Sequence, residues 1–213
     1  DVYKRQLPIN AKIFHVGSLG LIEGQDAEVW EKFFKICKQK GLITSLDPNV
    51  RPILIQDRKN YIKRLERMFF DVDILKLSNE DLQWIYPSKS LNQSFKILKS
   101  KTNAQLLILT LGEKGSIGKT SNFEIKISSK KISNLKDTVG AGDTYMASIL
   151  NWFIDHKIFD INLVKNLKKP DLTSIMDKAS IAAALNCIKI GCNPPSREDI
   201  EICINNENFE NNA

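Results

Sequence analysis

The stretch that decides the fold class is DTVGAGD, residues 137–143, which runs directly into a segment of periodic apolar residues. Apolar side chains recur at helical spacing from Met146 to Ile154, so we expect Gly140 and Gly142 to lie at a helix N-terminus. Glycines there let the backbone approach a phosphate closely, and the positive end of the helix dipole favours an anion. The stretch therefore predicts a phosphate-binding loop.

The residue that follows this loop suggests chemistry rather than binding alone. Asp143 places a carboxylate in the first helical turn, where its charge would repel a phosphate. A carboxylate at that point is useful if it accepts a proton from a hydroxyl that attacks the phosphate. The alternative is an ordinary glycine-rich turn with an acidic residue after it, since acidic residues are common in first turns.

The rest of the chain alternates between strand-like and helix-like segments. This order predicts βαβ units, hence an α/β fold with a mostly parallel sheet and helices on both faces. In such sheets ligands bind beyond the carboxyl ends of the strands. We expect strands at 12–16, 42–46, 72–77 and 105–110, helices at 25–40, 58–70, 79–86, 90–100, 143–156 and 172–190, and an edge hairpin at 116–128.

Several segments together resemble one protein family. The stretch 137–143 matches the DTxGAGD signature of the ribokinase-like (PfkB) carbohydrate kinases. Further segments look like that family in its own order: HVGSL at 15–19, SLDPNVRP at 45–52, LKLS at 75–78, TLGEKGS at 110–116, and the segment from Asn186 to Pro195. The resemblance covers about residues 10 to 200 and is greatest to bacterial fructokinases.

The resemblance implies an activity and a mechanism. It implies a ribokinase-like fold and transfer of the γ-phosphate from ATP, with Mg²⁺, to a primary hydroxyl of a small-molecule sugar. D-Fructose is the leading sugar, and 2-keto-3-deoxygluconate and ribose are the alternatives. Asp143 would be the base, while the amides of Gly140, Ala141 and Gly142 would stabilise the charge on the γ-phosphate. A non-catalytic nucleotide-binding or regulatory protein remains the alternative from a different class.

The resemblance also implies contacts with the nucleotide. The turn that follows the strand at 105–110 would run along the ribose and phosphates, and the end of the last long helix would border the adenine. The residues so implied are Thr110, Gly112, Gly115, Lys76, Ser78 and Asn186.

Three further residues have two interpretations or rest on the resemblance alone. Arg51 would bind a sugar oxygen or a phosphate, or else pair with Asp47 and hold its loop. Asp81 would lie in the magnesium–phosphate region, although a helix capped by Ser78 with acidic residues in its first turn explains the same pattern. Asp137 would help to hold a monovalent cation, K⁺.

Composition argues against several other classes of protein. The net charge is +6, but the lysines are scattered and often lie near acidic residues, so we expect a solvated surface and no nucleic-acid partner. No run of residues approaches a membrane span and no secretory signal opens the chain, so we expect a cytoplasmic protein without a membrane partner. Cys187 and Cys192 flank a predicted helix end, and we expect both to be buried thiols.

The sequence predicts three parts: a short N-terminal segment, one domain and a polar tail. Residues 1–6 resemble the translation of a transposon end used in library preparation, and we interpret them as a sequencing or cloning scar. Residues 7–204 correspond to the C-terminal two-thirds of a PfkB domain, and 205–213 form a polar tail that we expect to fray. The N-terminal part and the lid would be missing, and we expect the whole protein to form a homodimer through that lid. We expect this fragment alone to be inactive.

Overall fold

The computed structural model describes residues 7–132 and 134–205. The expectations for residues 1–6 and for the tail from 206 onward therefore lie outside the described residues. The described strands are β1 Ile13–Gly17, β2 Ile43–Asp47, β3 Ile74–Ser78, β4 Leu106–Thr110, β5 Ser116–Lys119 and β6 Glu124–Ile127. The described α-helices are α1 Gly24–Gln39, α2 Arg58–Asp71, α3 Asn79–Ile85, α4 Leu91–Lys101, α5 Ala141–Asp155, α6 Ile161–Lys165, α7 Lys169–Cys187 and α8 Arg197–Asn205.

The strands form a six-stranded sheet in the order β1-β2-β3-β4-β5-β6, flanked by helices. β1, β2 and β3 run parallel, with Gly17 opposite Asp47 and Leu46 opposite Leu75. All five residues of β2 are buried, as expected for a parallel strand covered on both faces. The predicted hairpin is confirmed as the neighbouring strands β5 and β6 at one end of the sheet order.

The chain separates into two compact units. The first takes in residues up to 109 together with 119–121 and 159–166. Its core includes the fully buried side chains of Phe34, Leu65 and Phe69 on α1 and α2. The second unit takes in 110–118, 122–158 and the residues from 167 onward, and in it α5 packs along α7 through apolar side chains.

Several predicted boundaries are wrong by a few residues, each for a local reason. α5 begins at Ala141 rather than 143, because Gly140 adopts a left-handed backbone (φ 79°) and caps the helix. α7 begins at Lys169, with Pro170 in its first turn, and ends at Cys187 rather than 190. The short α6 and the whole of α8 were not predicted, since neither has a long apolar periodic pattern.

No described helix combines the length and the hydropathy that crossing a bilayer requires. The longest of them, α7, has 19 residues and carries charged side chains. This finding concerns residues 7–132 and 134–205 only.

Candidate active site

The DTVGAGD stretch lies where the sequence predicts it, at the N-terminus of the 15-residue helix α5. Gly140 is the N-cap, Ala141 and Gly142 are the first two helical residues, and Asp143 is an exposed acidic residue in the first turn. First-turn amides have no intrahelical acceptor, so they point beyond the helix end. The Ala141 N–H donates to Thr138 O at 3.1 Å, and Gly140 O accepts from Thr144 N at 2.8 Å. The arrangement has the geometry of an anion site with a carboxylate beside it.

Gly140 must be a glycine for two reasons. Its φ of 79° lies in the left-handed region, where a side chain costs about 1–2 kcal/mol. A Cβ added there would also lie 2.4 Å from the Sγ and 2.9 Å from the Cβ of Cys192. The turn after α7 therefore presses directly against the cap of α5. Cys187 is buried as predicted, whereas the prediction for Cys192 is wrong, because its side chain is exposed beside this loop.

Asp137 fixes the chain that leads into the loop. Its Oδ1 accepts from Val139 N at 3.0 Å and its Oδ2 accepts from Gly191 N at 2.9 Å. These N–H groups, that of Val139 first, lower the pKa of the carboxyl below its usual value by stabilising the charged form. The Asp137 N–H in turn donates to Cys187 O at 3.2 Å. Both carboxylate oxygens thus have protein donors, and the proposed K⁺ role of Asp137 stays a prediction.

Asn186 makes a second link to the same loop. It is fully buried at the end of α7, and its Nδ2 donates to Val139 O at 2.7 Å. Its Oδ1 accepts from Asn193 N at 3.0 Å. The described contacts of this side chain are therefore with protein backbone, and its assignment to the nucleotide also stays a prediction. Sequence reasoning missed the link to Val139, since no local pattern connects residues 47 positions apart.

The turn after β4 brings together Thr110, Gly112 and Gly115. Thr110 ends β4, and Gly112 begins a short 3₁₀ turn that closes at Gly115, both glycines having positive φ. A Cβ added to Gly115 would lie 2.0 Å from Ile127 O. Part of the requirement for glycine at 115 is therefore packing against the hairpin. Contacts of these three residues with a nucleotide remain predictions.

In the first unit, a buried ion pair joins the carboxyl end of β2 to the middle of β3. Lys76 Nζ donates to Asp47 Oδ2 at 2.6 Å, and both side chains are 4% exposed. A contact between Lys76 and a nucleotide would require this pair to open. Arg51 is exposed and donates to the backbone and side-chain oxygens of Asn49. The role of Arg51 toward a sugar or phosphate is untested.

Asp81 joins the start of α3 to the loop after β2. Its Oδ1 accepts from Val50 N at 2.7 Å, while its Oδ2 accepts from Ser78 N at 2.9 Å and from Ser78 Oγ at 2.8 Å. Ser78 Oγ accepts from Asp81 N at 3.0 Å, so the two residues form a capping box. Both oxygens of this buried carboxylate accept from protein donors, and the role of Asp81 in the magnesium–phosphate region stays a prediction. No cluster of metal-ligating side chains occurs among the described residues.

A scan against protein families matches residues 1–199 to the pfkB family carbohydrate kinase. The chain belongs to this family. Among curated relatives it is 27% identical over 201 residues to probable fructokinase-2 of Arabidopsis thaliana, covering 94% of this chain and 59% of that protein. It is 32% identical over 141 residues to the fructokinase of Rhizobium leguminosarum bv. trifolii, covering 66% of this chain and 42% of that protein.

A solved structure supports the same fold. The chain superposes on Xylella fastidiosa fructokinase with bound ATP with a TM-score of 0.83 at 23% identity. The match covers 92% of this chain and 62% of that one. The ribokinase-like fold class is therefore confirmed. The chain spans about half the length of the two curated relatives described above, 59% and 42% of them.

Proposed function

We propose that the whole protein is an ATP-dependent sugar kinase that phosphorylates a primary hydroxyl, with D-fructose as the leading acceptor. The observation that carries the proposal is the N-terminus of α5, where a left-handed glycine cap, a glycine at the second helical position and Asp143 occur within one turn. Membership of a carbohydrate-kinase family supports the reaction class. Similarity to fructokinases supports the choice of sugar.

The proposed reaction moves one phosphoryl group and one proton. The sugar hydroxyl oxygen forms a bond to the γ-phosphorus as the bond from that phosphorus to the β-phosphate oxygen breaks, releasing ADP. Asp143 takes the hydroxyl proton, because a positioned carboxylate is a suitable general base for this transfer. Charge develops on the γ-phosphoryl oxygens, and amides at the start of α5 stabilise it. Since the Ala141 N–H already donates to Thr138 O, we assign this role chiefly to Gly140 and Gly142.

The nucleotide would lie along the second unit, where Thr110, Gly112, Gly115 and the region of Asn186 are the proposed contacts. Nothing in the described contacts makes Asp81 a direct ligand for Mg²⁺, so we propose no step that involves a metal at that residue. Lys76 is proposed to act through its buried pair with Asp47, which links the end of β2 to the middle of β3.

The test is a sugar panel with the full-length enzyme. ADP release would be followed with fructose, ribose and 2-keto-3-deoxygluconate, with a reaction lacking sugar as the control, and ³¹P NMR would identify the phosphorylated carbon. We expect the highest kcat/KM with fructose and phosphate on carbon 6. A higher value with another sugar would overturn the assignment of fructose. Binding of ATP without sugar-dependent ADP release would refute the kinase and favour the non-catalytic alternative.

A further inference from the structure

We propose that Asn186 is a positioning residue that holds the phosphate-binding loop in its active geometry. We call the group formed by Asp137, Asn186 and the turn Gly191–Asn193 the loop clamp. The inference rests on the proposed kinase function for its catalytic consequence. Its geometric basis lies entirely within the second unit.

The clamp holds the peptide groups of one residue from both sides. Asp137 Oδ1 accepts from the Val139 N–H at 3.0 Å, and Asn186 Nδ2 donates to the Val139 carbonyl at 2.7 Å. With both polar groups bonded to fixed partners, rotation about the bonds of Val139 is restricted. Val139 directly precedes Gly140, so its conformation sets the direction in which the α5 cap points.

The backbone of the turn Gly191–Asn193 also fixes the side chains of Asp137 and Asn186. Asp137 Oδ2 accepts from Gly191 N at 2.9 Å, and Asn186 Oδ1 accepts from Asn193 N at 3.0 Å. Between these two residues, Cys192 lies against Gly140 so closely that no Cβ fits there. Three successive residues of the turn thus contact the loop: Cys192 directly, Gly191 through the Asp137 side chain, and Asn193 through the buried Asn186 side chain.

Burial determines which of the two side chains matters more. Asn186 is 0% exposed, so solvent does not reach its amide, and truncation of the side chain removes the partners of the Val139 carbonyl and the Asn193 N–H together. An exposed amide would be replaced by solvent at little cost. The Asn186 side chain uses an oxygen and a nitrogen, one for each link, and neither Asp nor Ala supplies both.

The consequence for catalysis is a preorganised anion site. Backbone donors stabilise a transition state effectively only if they are already aimed at the developing charge, and a displacement of about 1 Å can cost about 10²-fold in rate. Asn186 contacts no reacting atom in this account. It acts through Val139 on the amides at the start of α5.

The test compares Asn186→Ala and Asn186→Asp with Thr173→Ala in the full-length enzyme. Asn186→Asp keeps the side-chain volume and the acceptor for Asn193 N but lacks the donor to Val139 O. Thr173→Ala is the matched control, because it removes one side-chain bond to backbone, from Thr173 Oγ1 to Lys169 O at 3.0 Å, elsewhere on α7.

We expect both Asn186 variants to lower kcat about 10²-fold, with KM for the sugar changed less than about threefold. Hydrogen exchange should rise at residues 138–142 and stay unchanged across the rest of α5. Thr173→Ala should leave kcat and the exchange of 138–142 unchanged. The variant Asn186→Asp keeps the test usable if Asn186→Ala does not fold.

Two results would overturn the inference. The first is a wild-type kcat in a folded Asn186 variant, and the second is exchange that rises equally throughout the second unit, as simple destabilisation would cause. If the wild-type enzyme phosphorylates no sugar, the proposed function fails on its own. Hydrogen exchange at 138–142 then still decides whether Asn186 holds the loop.

Discussion

Replacement of Gly140 by alanine tests the contact between the phosphate-binding loop and the turn after α7. The left-handed backbone alone should cost about 1–2 kcal/mol, because Gly140 has a φ of 79°. The added Cβ would lie 2.4 Å from Cys192 Sγ, and overpacking of this kind typically costs a further ~1–3 kcal/mol. We therefore expect Gly140→Ala to lower the free energy of unfolding by more than a Gly→Ala substitution at a position with the same φ and no neighbouring atoms.

Gly41 supplies the matched control. It has the same φ of 79°, and a Cβ added there would have no atom within 4 Å. Urea unfolding followed by circular dichroism would measure the free energy of unfolding for Gly140→Ala, Gly41→Ala, Cys192→Gly and the double variant Gly140→Ala/Cys192→Gly. Because Cys192→Gly removes the two nearest atoms, Sγ and Cβ, the loss of unfolding free energy caused by Gly140→Ala should be about 1–3 kcal/mol smaller in that background.

Either of two results would refute this reasoning. One is a cost for Gly140→Ala equal to that for Gly41→Ala, which would mean that only the backbone conformation matters. The other is simple additivity of Gly140→Ala and Cys192→Gly. Both would show that the turn after α7 does not press against the loop.

Two further predictions concern the charged groups around the candidate site. Lys76→Met should lower the free energy of unfolding by about 3–5 kcal/mol, because it leaves the Asp47 carboxylate buried without its cation. The control Lys101→Met breaks the exposed pair with Glu66 and should lower the free energy of unfolding by at most ~1 kcal/mol. Equal losses of unfolding free energy for Lys76→Met and Lys101→Met, measured by urea unfolding, would contradict this prediction. The Val139 N–H is the main cause that lowers the pKa of the Asp137 carboxyl, so a ¹³C NMR titration of this carboxyl should give a pKa below the usual ~3.9. Its stabilising effect should be present above that usual value and disappear as pH falls through the lowered pKa, an acid dependence that Asp137→Asn should lack.

Local pattern was enough to predict the main elements of this fold. The alternation of apolar strands with amphipathic helices predicted the sheet, since strand and helix segments differ in the periodicity of their apolar residues. The loop at Gly140 was placed correctly because a helix N-terminus has a short and specific sequence signature. α8 was missed, since its nine residues form only a short apolar pattern, and in the structure it lies against α7.

The candidate site was predicted less completely, because its contacts join residues far apart in the chain. Asp137 bonds to Gly191, 54 positions away, and Asn186 bonds to Val139, 47 positions away. Local spacing carries no information on such pairs. The same holds for Lys76, whose pairing with Asp47 depends on the register of two parallel strands.

The central claim is that Asp143 accepts the proton in phosphoryl transfer. The most direct test is the turnover of Asp143→Asn with ATP and fructose in the full-length enzyme. The side chain is exposed, so the substitution should leave the circular dichroism spectrum unchanged. The account predicts that kcat falls by about 10²- to 10⁴-fold. A folded Asp143→Asn variant that phosphorylates fructose at the wild-type rate would contradict it.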